Sequence, residues 1–194
     1  ELLASEPLVN DLPWEKSYFF FGDERYVPSD DPDNNAHMAR NAMLDKVPVP
    51  ADNIFTVNTA YSPAAAANDY AHRILEYFKI QEPVFDLILL GLGDDAHTAS
   101  LFPHTKVLAE TDALVKEVKM LHEHSWRITF TRPLINKASS VYFMAFGKKK
   151  ALAVHNVLEG ERYEFQYPAQ FVNPVKGSVS WFMDREAASL LRNH

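Results

Sequence analysis

Phe85-Asp86-Leu87-Ile88-Leu89-Leu90-Gly91-Leu92-Gly93-Asp94-Asp95-Ala96-His97-Thr98-Ala99-Ser100-Leu101-Phe102-Pro103 is an almost wholly apolar run that breaks at two glycines into a dense polar stretch. Residues 85–90 have the length of a strand, and a strand apolar on both faces is expected in a parallel sheet covered by helices. In open sheets of that kind the ligand crevice lies beyond the carboxyl ends of the strands. Gly91 and Gly93 let the chain turn sharply there and approach a ligand closely. Asp95, His97, Thr98 and Ser100 then crowd polar side chains into the same place. An Asp-x-His pair suits general-base chemistry, because the carboxylate can orient the imidazole. With an ordinary pKa of about 6.5, that ring can take a proton from water near neutrality. The same spacing also suits a glycine turn whose polar residues cap a helix, and spacing alone leaves both readings open.

Working outward, strand-like and helix-like segments alternate. An aromatic run at 18–21 stops at Gly22, residues 35–44 read as a helix ending before Pro48 and Pro50, and 54–57 read as a strand. The clearest helix follows, with Ser62 as N-cap and Pro63 in the first helical position. Its apolar residues Ala67, Tyr70, Ala71, Ile74, Leu75 and Phe78 recur at helical spacing and predict one buried stripe. Residues 115–118, 127–130, 141–146 and 178–181 predict further strands, and 149–158 and 185–191 predict helices. Such alternation predicts an α/β layered fold, Rossmann-like, with a largely parallel sheet flanked by helices. Without repeats, low-complexity tracts or a Gly/Ser linker, residues 1–194 read as a single domain.

The bulk properties narrow the chemistry. With 194 residues, 47% of them hydrophobic, the chain can bury one substantial core. It has no cysteine, which removes disulfides, thiolate metal sites and a thiol nucleophile, and suits a reducing cytoplasm. The net charge of −7 disfavours nucleic acid as a partner, since backbone affinity comes from Lys and Arg. No apolar run approaches the roughly 20 residues of a membrane span. Lys148-Lys149-Lys150 reads most simply as the solvated start of a helix.

The stretch 91–103 resembles the signature G-x-G-x-D-G-H-x-A-S-L-F-P of the 6-phosphogluconolactonases, within the superfamily that includes the glucosamine-6-phosphate deaminases. Ala96 departs from it, standing where the family usually has glycine; if that position needs a positive φ, alanine is strained there. Deaminases usually continue from the histidine with I-A-F-N-E-P, whereas this chain continues Thr98-Ala99-Ser100-Leu101-Phe102-Pro103, so the tail favours the lactonases. Phe20-Phe21-Gly22-Asp23-Glu24-Arg25-Tyr26-Val27-Pro28 resembles the family's D-E-R-x-V-P loop. Trp126-Arg127-Ile128-Thr129-Phe130-Thr131 resembles its R-I-T-L-T strand. Weaker matches, among them Lys150-Ala151, extend the resemblance from about Trp14 to Leu191.

The resemblance implies hydrolysis of 6-phospho-D-glucono-1,5-lactone to 6-phosphogluconate, a step of the oxidative pentose phosphate pathway. His97 would be general base, Asp95 would orient it or hold a substrate hydroxyl, and Arg25 would be the counter-charge for the developing oxyanion. Gly93 and Asp23 would line the substrate site. Arg127 would hold the phosphate with its planar fork, assisted by a lysine, for which Lys116 and Lys119 both qualify and Lys119 is chosen. A lactone is already an activated ester, so no cofactor and no metal are expected. His122 and His124 around Glu123 hint at a metal pair but lack a third ligand. The expected partner is a small phosphosugar lactone, with neither nucleic acid nor membrane, and the chain is expected to be cytoplasmic, a monomer or weak homodimer. The family's opening β-α unit with its S-G-G-x-T-P phosphate loop has no counterpart. Glu1 to Pro7 reads as the end of the helix that would follow it. Alternative readings are a deaminase on the same fold, a non-catalytic sugar-phosphate binder, and an esterase using Ser100.

Overall fold

The computed structural model describes residues 1–79, 81–120 and 125–192. The apolar run ends in strand β4 (Ile88–Gly91), which pairs in parallel with β7 (Ser140–Ala145), itself parallel to β8 (Ser178–Met183). A second parallel pair joins β1 (Phe19–Phe20) to β3 (Ile54–Phe55). The remaining strands, β2 (Asp23–Arg25), β5 (Val115–Lys119) and β6 (Trp126–Phe130), form an antiparallel ribbon in the order β2-β6-β5. The fold is thus α/β with parallel sheets and flanking helices, as expected. The antiparallel ribbon departs from the expected parallel pattern, because β2 joins β6 from about a hundred residues away and so leaves no local pattern.

The register defines the faces. Ile88 lies beside Val141 and Leu90 beside Phe143, and Val141 and Phe143 lie beside Val179 and Trp181. A short helix α3 (Arg132–Ile135) follows β6, and this face shares its core with α4 (Ala151–Leu158), whose Ala153 and Val154 are buried, and with Phe171. The opposite face carries Leu89, Met144 and Phe182, exposed by 57%, 41% and 50%. The expectation that β4 is covered on both faces therefore fails, since among the described residues only one face is packed. In α2 (Pro63–Phe78), Ala66, Ala67, Tyr70 and Ile74 are buried, but Leu75, placed on the stripe by spacing, is largely exposed. The helix starts where Ser62 and Pro63 predict, although the Ser62 side chain makes no cap and only its carbonyl accepts from Ala66 N–H, at 2.8 Å. Tyr70 stacks on Phe130 and bridges two strands: its hydroxyl accepts from Phe21 N–H at 2.7 Å and lies 3.1 Å from the Phe55 carbonyl. That clamp fixes the chain just before Asp23.

Other segments depart from the expected bounds. Helix α1 spans Asn35–Ala42, capped by the Asn34 side chain, which accepts from His37 N–H. Residues 185–191 form turns and not a helix. Asp184 takes the Ala187 N–H and the Gly147 N–H on its side chain, so the segment is pinned at its start. Residues 2–4 form a 3₁₀ turn where a helix end was expected.

Candidate active site

The loop after β4 is folded by its own polar groups. Ala96 N–H donates to the Gly93 carbonyl (3.0 Å), Gly93 N–H donates to the His97 carbonyl (2.8 Å), and the Thr98 hydroxyl donates to the Gly91 carbonyl (2.8 Å). Asp95 Oδ1 accepts the His97 backbone N–H at 3.1 Å and sits 2.5 Å from His97 Nδ1. With Nδ1–H donated to Asp95, the other ring nitrogen, Nε2, carries the lone pair. Phe102 lies against one side of the imidazole, with ring centroids 4.2 Å apart. Gly93 forms the other side: a Cβ there would stand 2.0 Å from Nδ1 and 2.6 Å from Asp95 Oδ1, so this position admits no side chain without displacing the pair.

Ala96 adopts φ +63°, in the left-handed region, and Ala99, three places on, adopts φ +47°. The conditional raised by the sequence is thereby decided: Ala96 is strained, at a cost of about 1 kcal/mol relative to glycine. The methyl is buried, which offsets part of that. Ala96→Gly is expected to raise thermal stability by about 2–4 °C, read as the midpoint of a calorimetric unfolding scan. A lowered midpoint would show that methyl burial outweighs the strain.

A crevice of about 350 Å³ opens beside the loop, lined by Gly22, Asp23, the 89–93 backbone, His97 and Lys150 among others. Asp23 is held from two sides. Ser100 Oγ donates to its Oδ2 at 2.7 Å, and Asn35 Nδ2 donates to its backbone carbonyl at 3.1 Å and to Oδ1 at 3.3 Å. Ser100 is fully buried, and its N–H donates to Thr129 Oγ1. A buried hydroxyl committed to Asp23 is a brace between the loop and the ribbon, which removes the serine-esterase reading.

The structure brings Asp23, Gly93, Asp95 and His97 together and leaves Arg25, Arg127 and Lys119 outside the crevice wall. The ribbon register states where they stand. Asp23 is opposite Thr129 and Arg25 opposite Arg127, so all four project from one face, the two arginines one pleat repeat (about 7 Å) beyond Asp23. Arg25 Nη1 contacts the carbonyl and Oδ1 of Asp33 at 3.2 and 3.4 Å in an exposed pair. Arg127 Nη1 contacts Ser125 Oγ and the Trp126 carbonyl. Lys119 pairs with Trp126, over whose ring its ammonium lies, and therefore points to the other face of the ribbon from Arg127. Lys116 shares the arginines' face but is ion-paired with Glu110 at 3.6 Å.

Two residues were missed from the sequence. Lys150, read as a solvated helix start, lines the crevice, its ammonium 2.6 Å from Asp94 Oδ1. The Lys150-Ala151 match was the available signal. Glu24 is fully buried and takes the backbone N–H groups of Arg25, Asn35 and Ala36 at 2.8, 2.6 and 2.9 Å, tying β2 to the start of α1. Burial pushes its carboxyl above the ordinary range, against the pull of those three donors. His37 and His72 are bonded along their own helices to Asn41 and Glu76. His122 and His124 lie outside the described residues.

A family model described as glucosamine-6-phosphate isomerases/6-phosphogluconolactonase matches residues 1–181. The chain is similar to 6-phosphogluconolactonase of a Synechocystis species, 45% identical over 185 residues, covering 93% of this chain and 76% of that protein. It is 37% identical to the Homo sapiens 6-phosphogluconolactonase over 173 residues, 88% of this chain and 67% of that protein. In structure it resembles 6-phosphogluconolactonase from Trypanosoma cruzi with a TM-score of 0.86 and 30% identity, covering 98% of this chain and 79% of that one.

Proposed function

The chain belongs to the glucosamine-6-phosphate isomerase/6-phosphogluconolactonase family, and from that premise we propose that it opens its lactone by general-base attack of water at His97. Its activity is that of the 6-phosphogluconolactonases it resembles at 37–45% identity, hydrolysis within the pentose phosphate pathway. The observation that carries the mechanism is the 2.5 Å contact between His97 Nδ1 and Asp95 Oδ1 at the wall of the crevice. In this reading Nε2 takes a proton from water as its oxygen attacks the lactone carbonyl. The tetrahedral intermediate then expels the ring oxygen, and the imidazolium returns the proton to that oxygen, leaving the open-chain acid and a hydroxyl. Asp95 stabilises the imidazolium in between.

The crevice supplies the rest of the reading. Asp23, held ready by Ser100 and Asn35, accepts hydrogen bonds from sugar hydroxyls. Arg25 exchanges its exposed Asp33 contact, which is weak, for the developing oxyanion. Arg127 anchors the phosphate, and the assisting lysine is reassigned from Lys119, on the wrong face of the ribbon, to Lys150. We also place the protein in the cytoplasm as a monomer or weak homodimer; no helix of the described residues is long and apolar enough to cross a membrane.

Asp95→Asn tests the mechanism directly. An amide keeps the size of the side chain but no longer stabilises an imidazolium, and it can hold the ring in the wrong tautomer. The pair is partly exposed, so a loss of roughly 10- to 100-fold in kcat is expected, with KM little changed. An unaltered kcat, followed as lactone loss above the spontaneous rate, would remove His97–Asp95 from the chemistry.

A further inference from the structure

Resting on the reading that the crevice takes an anionic phosphosugar, we infer that Asp94 sets how tightly that anion is held, by competing with it for Lys150. Lys150 is the only cationic side chain among the described residues lining the crevice. Its ammonium lies 2.6 Å from Asp94 Oδ1. The two adjacent carboxylates of the loop therefore do different work: Asp95 faces the imidazole, while Asp94 reaches Lys150 at the 3₁₀ turn Lys148–Lys150 that leads into α4. Asp94 is the more exposed partner of its pair, at 60% against 29% for Lys150.

The chemistry of an ammonium gives the contact its consequence. Lysine has three donors on one compact charge and can serve two acceptors at once. A phosphate arriving at Lys150 need not break the pair, but it meets an ammonium that already faces a carboxylate at 2.6 Å. The hydrogen bond and charge of Lys150, with smaller help from Lys149 and His97, hold the Asp94 carboxyl below the usual carboxylate range. The competing charge is thus present at every pH at which a neutral histidine can act as base. At these distances in a solvent-exposed crevice, one like charge near a phosphate changes affinity by a factor of about three to ten. Asp94 is in this sense an affinity-setting residue that acts through Lys150, and it touches neither the reacting carbon nor the attacking water.

Asp94→Asn keeps the shape and a carbonyl acceptor for Lys150 while removing the charge. Its expected result is a KM about three- to tenfold lower, with kcat moving much less, and inorganic phosphate becoming a correspondingly stronger competitive inhibitor. The gain should shrink as ionic strength rises. Lys150→Met is expected to raise KM by about 10-fold or more, and adding Asp94→Asn to it should change KM by less than about twofold, since the competition has lost its object. An unchanged or raised KM in Asp94→Asn, with Lys150→Met impaired as expected, would overturn the inference and leave the site reading standing. Lys150→Met with normal KM and normal inhibition by phosphate would overturn the placement of the anion itself, and the inference with it.

Discussion

His97→Ala lowers kcat by about 10²–10⁴, the range that general-base assistance contributes, while the protein still folds and still binds its product. The side chain stands at the crevice wall, 28% exposed, and its removal opens no core cavity. Asp23 keeps its two donors in the variant, because neither Ser100 nor Asn35 bonds to the imidazole. Lys150 keeps its place through Asp94. Binding and chemistry should therefore separate: KM and inhibition by phosphate stay near the parent values, while turnover falls. The readout is initial-rate loss of 6-phosphogluconolactone, corrected for spontaneous opening, beside a thermal unfolding scan that reports folding. Near-normal turnover would sink the mechanism. A collapse of both turnover and unfolding temperature would assign His97 to structure instead.

The parts of the molecule that were legible in the sequence are those governed by local pattern. Helix α2 is recognisable from Pro63 and the spacing of Ala67, Tyr70 and Ile74, because one buried stripe repeats every three to four residues. Strand β4 is recognisable because it ends a long, almost wholly apolar run that stops at two glycines. The ribbon is different. Asp23-Glu24-Arg25 is too short and too charged to read as a strand, and becomes one only because Arg127, Ile128 and Thr129 arrive from far along the chain to pair with it. Residues 185–191 fail in the opposite direction: their composition suits a helix and Asp184 accepts the Ala187 N–H as an N-cap would, yet the segment closes into turns.

The site divides along the same line. His97, Asp95 and Gly93 lie within five residues, so their meeting is a local matter. Asp23 joins them only through Ser100, whose partner is 77 residues away, and no spacing announces that contact. In the sequence Lys116 and Lys119 both qualify, and only strand alternation decides their faces. Paired with Trp126, Lys119 stands opposite to Arg127. Lys150 was hidden in a run of three lysines, a pattern that ordinarily marks a solvated surface.

Glu24 carries the second large expectation. Alternation on β2 puts Asp23 and Arg25 on the crevice side and turns Glu24 inward, where its carboxylate is closed off from the surface and meets three backbone N–H groups. Truncation strands one buried donor, Ala36 N–H, and two half-buried ones, Arg25 and Asn35 N–H. Each costs on the order of 1 kcal/mol or more when unsatisfied, so Glu24→Ala should destabilise the protein by about 3 kcal/mol. That loss should appear as a lower denaturant midpoint at an unchanged slope. Because the same carboxylate joins β2 to α1, Asn35 would also loosen its hold on Asp23, and kcat/KM should fall in molecules that remain folded. Glu24→Gln retains an acceptor for Arg25 and Asn35 and should recover much of the stability. The pH dependence distinguishes the two forms of the carboxyl. Burial raises the folded pKa above the ordinary 4.5, so the unfolded chain ionises first as pH rises. The stabilisation this supplies is complete below 4.5 and is lost as pH climbs through the higher folded value. The advantage of the parent over Glu24→Gln should therefore be larger near pH 4 than at pH 7. The reverse slope, measured by denaturant unfolding at the two pH values, would mean that the three N–H donors outweigh burial and hold Glu24 as a stable anion.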